Sequence, residues 1–425
     1  MAIIPLFRSA HFPLQRGTLS QKNSNRLTTG TMKYICLLLL FVFTAEIHAQ
    51  DRERVRDLGI SPGILSPGAY NAITDVDGAT VGHQTLIEGD DIRTGVTSIL
   101  PHDGNLFRDR VPAAVYVGNG FGKALGFSQV RELGELETPL ALTNTLSIFD
   151  VAHGVADYVL NQPGNENVGS VNPVVGETND GNLNNIRERV VSTDDVHAAI
   201  ESAESGPVAE GNVGAGTGTR ALGFKAGIGT ASRELPEDRG GYTVGVLVQS
   251  NFGGILTVDG VPVGEELQNH YMADIPNSDV HQTAQNRPEN QHYDFDVDGS
   301  IMIVVATDAP VTSRNLERLA KRAFLGIAKV GGFASNGSGD YIIAFSTHDD
   351  VRINLDDDDT KLENRELKNV NMTPLFLAAV EATEEAILNS IFMAETMEGH
   401  DGNKMEQLPV EEVLEIMKKY NRLAD

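Results

Sequence analysis

Four short runs constrain the fold more than anything else in the chain: "AAVYVGNGFG" (113–122), "GYTVGVLVQSNFGG" (241–254), "SIMIVVATDAP" (300–310) and "DYIIAFST" (340–347). Each is rich in β-branched residues and stops at glycine or polar turn residues, so each reads as a strand. Helical spacing lies between and after them. In "VTSRNLERLAKRAFLGIAKVGG" (311–332), Leu316, Leu319, Ala320, Ala323 and Ile327 share one face, and Gly331 is a stop signal. "TPLFLAAVEATEEAILNSIFMAETM" (373–397) and "PVEEVLEIMKKY" (409–420) predict two further helices. The expected class is a strand-rich α/β or α+β chain with its helices outside.

The chain has 425 residues, ample for a large core, and Asp plus Glu (59) far exceed Lys plus Arg (33), for a formal charge of −26. Such a chain repels phosphate backbones and anionic lipid, which argues against nucleic-acid binding. At its start, "MKYICLLLLFVFTAEIHAQ" (32–50) has the order of a secretory signal peptide: a lysine, a short apolar stretch, then Ile47-His48-Ala49. Met32 is the expected start and Ala49 the last residue removed. The stretch is too short for a stable membrane anchor. Cys36, the single cysteine, lies inside this leader, so the mature protein has neither thiol catalysis nor disulfides.

The usual chemical signatures are missing. There is no G-x-S-x-G elbow and no H-E-x-x-H. "GNGFGK" (118–123) and "GAGTGTRALG" (214–223) lack the companions of a phosphate or dinucleotide loop and read as tight turns or close backbone approaches. "DVDG" (75–78) lacks the ligand series of a calcium loop, and Asp356–Asp359 reads as a solvated loop. No cofactor and no metal is expected.

One junction stands apart. Residues 268–298 hold few aliphatic side chains and much Asn, Gln, Asp and His, as an exposed linker does. The linker ends at Gly299-Ser300, where the apolar run begins. Such a pair is ordinarily a turn before a strand. It is also where a processing site would stand. A serine freed at the N-terminus carries its own base, an α-amine of pKa about 7.7–8.0. Glycine suits the scissile position by tolerating strained angles and leaving its carbonyl open.

The segments "ITDVDGATVGH" (73–83), "GNGFGKALGFSQVRELGELETPLALTNTLS" (118–147), "VNPVVGETNDGNLNNI" (171–186), "VGAGTGTRALGFKAGIGTASR" (213–233), "VGVLVQSNFG" (244–253), "DGSIMIVVATDAP" (298–310) and "NGSGDYIIAFST" (336–347) run in one order from about residue 60 to 390. Together they resemble the D-aminopeptidase/esterase and β-peptidyl aminopeptidase family of self-processing serine hydrolases. The resemblance implies an α+β fold, a four-layer αββα sandwich like that of N-terminal-nucleophile hydrolases. It implies cleavage at Gly299-Ser300, dividing one hydrolase domain into an α-subunit part (50–299) and a β-subunit part (300–425) after the leader (1–49). It also implies a homo-oligomer, a tetramer of cleaved protomers, acting on small peptides or amino-acid amides.

By the same resemblance Ser300 is the nucleophile and Asn251 the side-chain donor of the oxyanion hole. Ser338 is a second serine bonded to the nucleophile or its amine, Asp340 orients that group, and Glu177 meets the substrate's ammonium. Some relatives carry a tyrosine where Asn179 stands here. Two other functions compete: an acetyltransferase-like member of the same fold, whose relatives cut before threonine, and a non-catalytic periplasmic binding protein.

Overall fold

Near-continuous apolar strands need cover on both faces, and two stacked sheets between two helix layers supply it. A computed structural model describes residues 52–273 and 299–423. The leader with Cys36 and residues 274–298 of the linker lie outside the described residues. One sheet takes the strands in the order Thr80–Glu88, Ile92–Leu100, Leu140–Asn144, Val174–Thr178, Ala124–Leu125. The second runs Ile228–Glu234, Thr243–Asn251, Ser300–Thr307, Gly339–Ser346, Asp109–Gly120, Ile353–Asn354, with Glu135–Leu136 paired to Asp109–Gly120. All four strands expected from the sequence belong to this second sheet.

Period-two alternation divides the serine strand, Ser300–Thr307, between two cores. Ile301, Ile303 and Val305 pack with Leu316, Leu319 and Ala323 of the helix Ser313–Lys329 and with Ala382 and Ala386 of the helix Met372–Phe392. Met302, Val304 and Ala306 face the other way, onto Ile99, Leu140, Leu142 and Val174 of the first sheet. A third core joins Val96, Ala141 and Val175 of the first sheet to the helices Ile148–Leu160 and Thr193–Glu201. The order is helices, sheet, sheet, helices: the four-layer α+β sandwich expected above.

The predicted helix face is correct residue for residue: Leu316, Leu319, Ala320, Ala323 and Ile327 are all buried. The third predicted helix is Val410–Lys419. The glycine-rich stretch 214–223 does make close approaches, since a Cβ on Gly218 would lie 2.2 Å from the Arg93 carbonyl oxygen. Asp356–Asp359 is exposed, as a solvated loop should be. Less expected is the charge inside the helix Met372–Phe392. Glu381, Glu384 and Glu385 are buried. Fully buried Arg233 reaches Glu381 at 3.2 Å and Glu385 at 2.7 Å, and Arg56 reaches Glu385 at 2.8 Å. A buried charge needs such partners to stay ionised.

Candidate active site

Ser300 opens its strand between two neighbours that bring the expected residues to it. In the antiparallel register with Thr243–Asn251, Ser300 stands opposite Asn251. In the parallel register with Gly339–Ser346 it stands opposite Gly339, flanked by Ser338 and Asp340. These pairings span 49 and 39 residues of chain, and sheet order alone brings them together.

The glycine expected before the cut has a spatial reason to be glycine. A Cβ on Gly299 would lie 2.0 Å from the Asn251 carbonyl oxygen, so no larger residue fits. This replaces the expectation of strained backbone angles. The Gly339 N–H donates to Gly299 O at 3.0 Å and to Ser300 Oγ at 3.2 Å. Asn251 accepts at Oδ1 from the Arg220 N–H at 3.2 Å, which leaves Nδ2 as its donor end. Ser338 Oγ donates to Asp340 Oδ1 at 2.6 Å, while buried Asp340 Oδ2 has no hydrogen-bond partner among the described residues. Burial lifts the Asp340 carboxyl to about 6, against the Ser338 hydrogen bond.

Ser300, Gly299, Asn251, Glu177 and Asn179 all line one cavity of about 990 Å³, and no histidine is among its described walls. Ser338 and Asp340 are buried behind it. Asn179 Oδ1 accepts from the Gly181 N–H at 2.9 Å and so shapes a turn. Tyr341, one residue past Asp340, was not singled out in the sequence. Burial chiefly, then Glu177 and Asp340, hold its hydroxyl pKa up, and a Cβ on Gly122 would meet both Glu177 Oε1, at 3.1 Å, and the Tyr341 hydroxyl, at 3.7 Å.

Glu177 is the penultimate residue of the strand Val174–Thr178 in the first sheet and is 2% exposed. Its Oε1 accepts from the Lys123 N–H at 3.0 Å and lies 3.1 Å from Lys123 Nζ, while Thr145 Oγ1 donates to Oε2. Lys123 and Thr145 left no signal in the sequence, because they lie 54 and 32 residues away and meet Glu177 only through the fold. Among the described residues no group of three or more His, Cys, Asp or Glu side chains could hold a metal ion.

A serine on the wall of a cavity, with an amide donor beside it and a buried carboxylate across it, is an acyl-transfer arrangement. Residues 71–405 match the family described as Peptidase family S58. The chain belongs to peptidase family S58. It is 42% identical over 383 residues to the β-peptidyl aminopeptidase BapA of Sphingosinicella microcystinivorans, an alignment covering 87% of this chain and 93% of that protein. Among solved structures, a Burkholderia sp. β-aminopeptidase superposes with a TM-score of 0.76 at 40% identity, covering 86% of this chain and 99% of its own. The L-aminopeptidase D-Ala-esterase/amidase of Ochrobactrum anthropi, a prototype of the serine aminopeptidases and a variant of the Ntn hydrolase fold, gives 0.76 at 36% identity, covering 87% and 99%. The S58 chain is thus a hydrolase of the aminopeptidase class, which sets aside the acetyltransferase-like and non-catalytic alternatives.

Proposed function

We propose that this S58 chain is an exported aminopeptidase that cuts itself between Gly299 and Ser300. The new N-terminal serine then releases N-terminal residues from small peptides, amides or esters. The observation that carries this reading is the single cavity on which Ser300, Asn251 and buried Glu177 all open, with no histidine on its described walls.

Self-cleavage starts when Ser300 Oγ attacks the Gly299 carbonyl carbon. The C–N bond to Ser300 gives way to a C–O ester, and the hydroxyl proton passes to the freed amine. Water then hydrolyses the ester, leaving a Gly299 carboxylate and an N-terminal Ser300. The Gly339 N–H, already on both the carbonyl oxygen and Oγ, is placed to stabilise the developing oxyanion.

In turnover the neutral α-amine of Ser300 takes the proton from its own Oγ, which attacks the substrate carbonyl. Asn251 Nδ2 donates to the oxyanion, and the leaving amine departs with the proton. Water hydrolyses the acyl ester. Ser338, polarised by Asp340, orients the nucleophile or its amine, and Glu177 holds the substrate's ammonium. That ammonium is the anchor, so α-, D- and β-amino acids are all admitted. The names of the β-peptidyl and D-Ala-acting relatives support this breadth. Export to the periplasm or medium rests on the leader Met32–Ala49, and a tetramer of cleaved protomers on the family resemblance. Among the described residues no helix is long and apolar enough to cross a membrane.

The test is a pair of substrates. β-Alanyl p-nitroanilide is hydrolysed and its N-acetyl form is not; equal rates on the two would end the aminopeptidase reading of this site.

A pH profile tests Asp340. It is ionised above about 6 and protonated below, and the α-amine, of pKa about 7.7–8.0, must be neutral to act as base. Log kcat/KM therefore climbs with a slope of about one between those values and about two below 6. In Asp340→Asn the steeper limb is absent. The same limb in both enzymes would remove Asp340 from the mechanism.

A further inference from the structure

The carboxylate assigned to the substrate's ammonium already has a cation from its own chain. A carboxylate offers about four acceptor sites. On Glu177 the Lys123 N–H and Lys123 Nζ take Oε1, and Thr145 Oγ1 takes one position on Oε2. Burial of the ion pair is lopsided. The Glu177 side chain is 3% exposed and that of Lys123 is 34% exposed. The anion is fixed in the cavity wall, while the ammonium sits on a flexible stem with water within reach.

We propose that Lys123 is a displaceable internal counter-ion: it occupies the ammonium subsite of the empty enzyme and competes there with the N-terminus of the substrate. The proposal rests on the assignment of Glu177 to that ammonium and adds a specificity-determining residue to it. A buried carboxylate left without a cation is costly, and in the empty cavity Lys123 supplies that cation. Once the substrate arrives, one carboxylate faces two cations. The neighbours that feel its charge, Asp180 and Tyr341, supply no positive charge to be displaced instead.

Lys123 is the partner free to leave, because its side chain is part-exposed and its backbone N–H can stay on Oε1 when Nζ departs. A partly exposed lysine–carboxylate pair is weak, so the competition is modest. A ligand without an amine has nothing to exchange for Lys123 and meets a closed ion pair. After hydrolysis, the returning lysine helps to expel the product's ammonium.

The experiment compares self-processed wild type, Lys123→Met, Lys123→Arg and Glu177→Gln at about pH 8, where much of the Ser300 amine is neutral. The readouts are KM for β-alanyl p-nitroanilide and the inhibition constant of propylamine, a bare ammonium that takes no part in the chemistry. Lys123→Met keeps the stem and the backbone hydrogen bond and should lower both values roughly three- to tenfold. Lys123→Arg, whose planar fork grips a carboxylate more firmly, should raise both. Glu177→Gln should raise both as well. The inference is overturned if Lys123→Met leaves both values unchanged or raises them, or, should that variant not fold, if Lys123→Arg leaves them unchanged. In either case a raised KM in Glu177→Gln would keep the anchor assignment intact. If Glu177→Gln changes neither value, the anchor assignment falls, and the inference with it.

Discussion

Ser300→Ala is expected to remain one uncut chain with activity reduced on the order of 10⁶-fold, the scale of removing a nucleophile outright. Both self-cleavage and turnover need the same hydroxyl. Wild-type protein should run as two bands on a denaturing gel, residues 50–299 and 300–425. N-terminal sequencing of the smaller should read SIMIVV. The pieces should separate only in denaturant. Ser300–Thr307 is buried along its whole length, with Thr243–Asn251 of the first piece on one side and Gly339–Ser346 of its own piece on the other. Pulling the pieces apart would expose the apolar faces of two cores. A cut Ser300→Ala protein, or an active wild type that is never cut, would refute the N-terminal-serine mechanism.

Asn251→Ala should lower turnover by about 10²–10³, the usual loss when one oxyanion donor is removed. Asn251 faces Ser300 across the strand pair, and the Arg220 N–H on its Oδ1 fixes the amide so that Nδ2 is the end that donates. Self-cleavage should slow by a smaller factor, because the Gly339 N–H already donates to the Gly299 carbonyl in the uncut chain. A gel time course follows the cleavage, and steady-state kinetics on the cut fraction follows the turnover. Asn251→Asp, of the same shape but without the donor, should fail in turnover as Asn251→Ala does. Full activity in cut Asn251→Ala would show that the oxyanion is held by other groups.

The parts of the fold legible in the sequence are those with a strong local period. The strand from Ser300 and the helix face Leu316–Ile327 fall where apolar spacing puts them. The first sheet left no such mark. Thr80–Glu88 carries polar His83, Gln84 and Glu88 among its apolar residues and is partly open to solvent, and Val174–Thr178 spans only five residues. Both are strands because of what they pair with. Glu381, Glu384 and Glu385 would be placed on a solvent face by any reading of the helix alone. They are buried because Arg233, Arg56 and Lys329 arrive from distant segments to meet them. Lys123 on Glu177 belongs to the same class of fact.

Ser300 marks the boundary between the two kinds of information. The two-residue period of a strand, a property of the sequence alone, puts its side chain on the face of Met302, Val304 and Ala306. Which layer that face meets was not written in the pattern, because the opposite face, Ile301, Ile303 and Val305, is equally apolar. Tertiary packing decided it. The face of Ser300 meets the first sheet, whose strand Val174–Thr178 carries Glu177, while the other face meets the helices. Hydrophobic burial is non-directional and cannot by itself tell one apolar partner from another, so the meeting of Ser300 with Glu177 had to wait for the stacking of the two sheets.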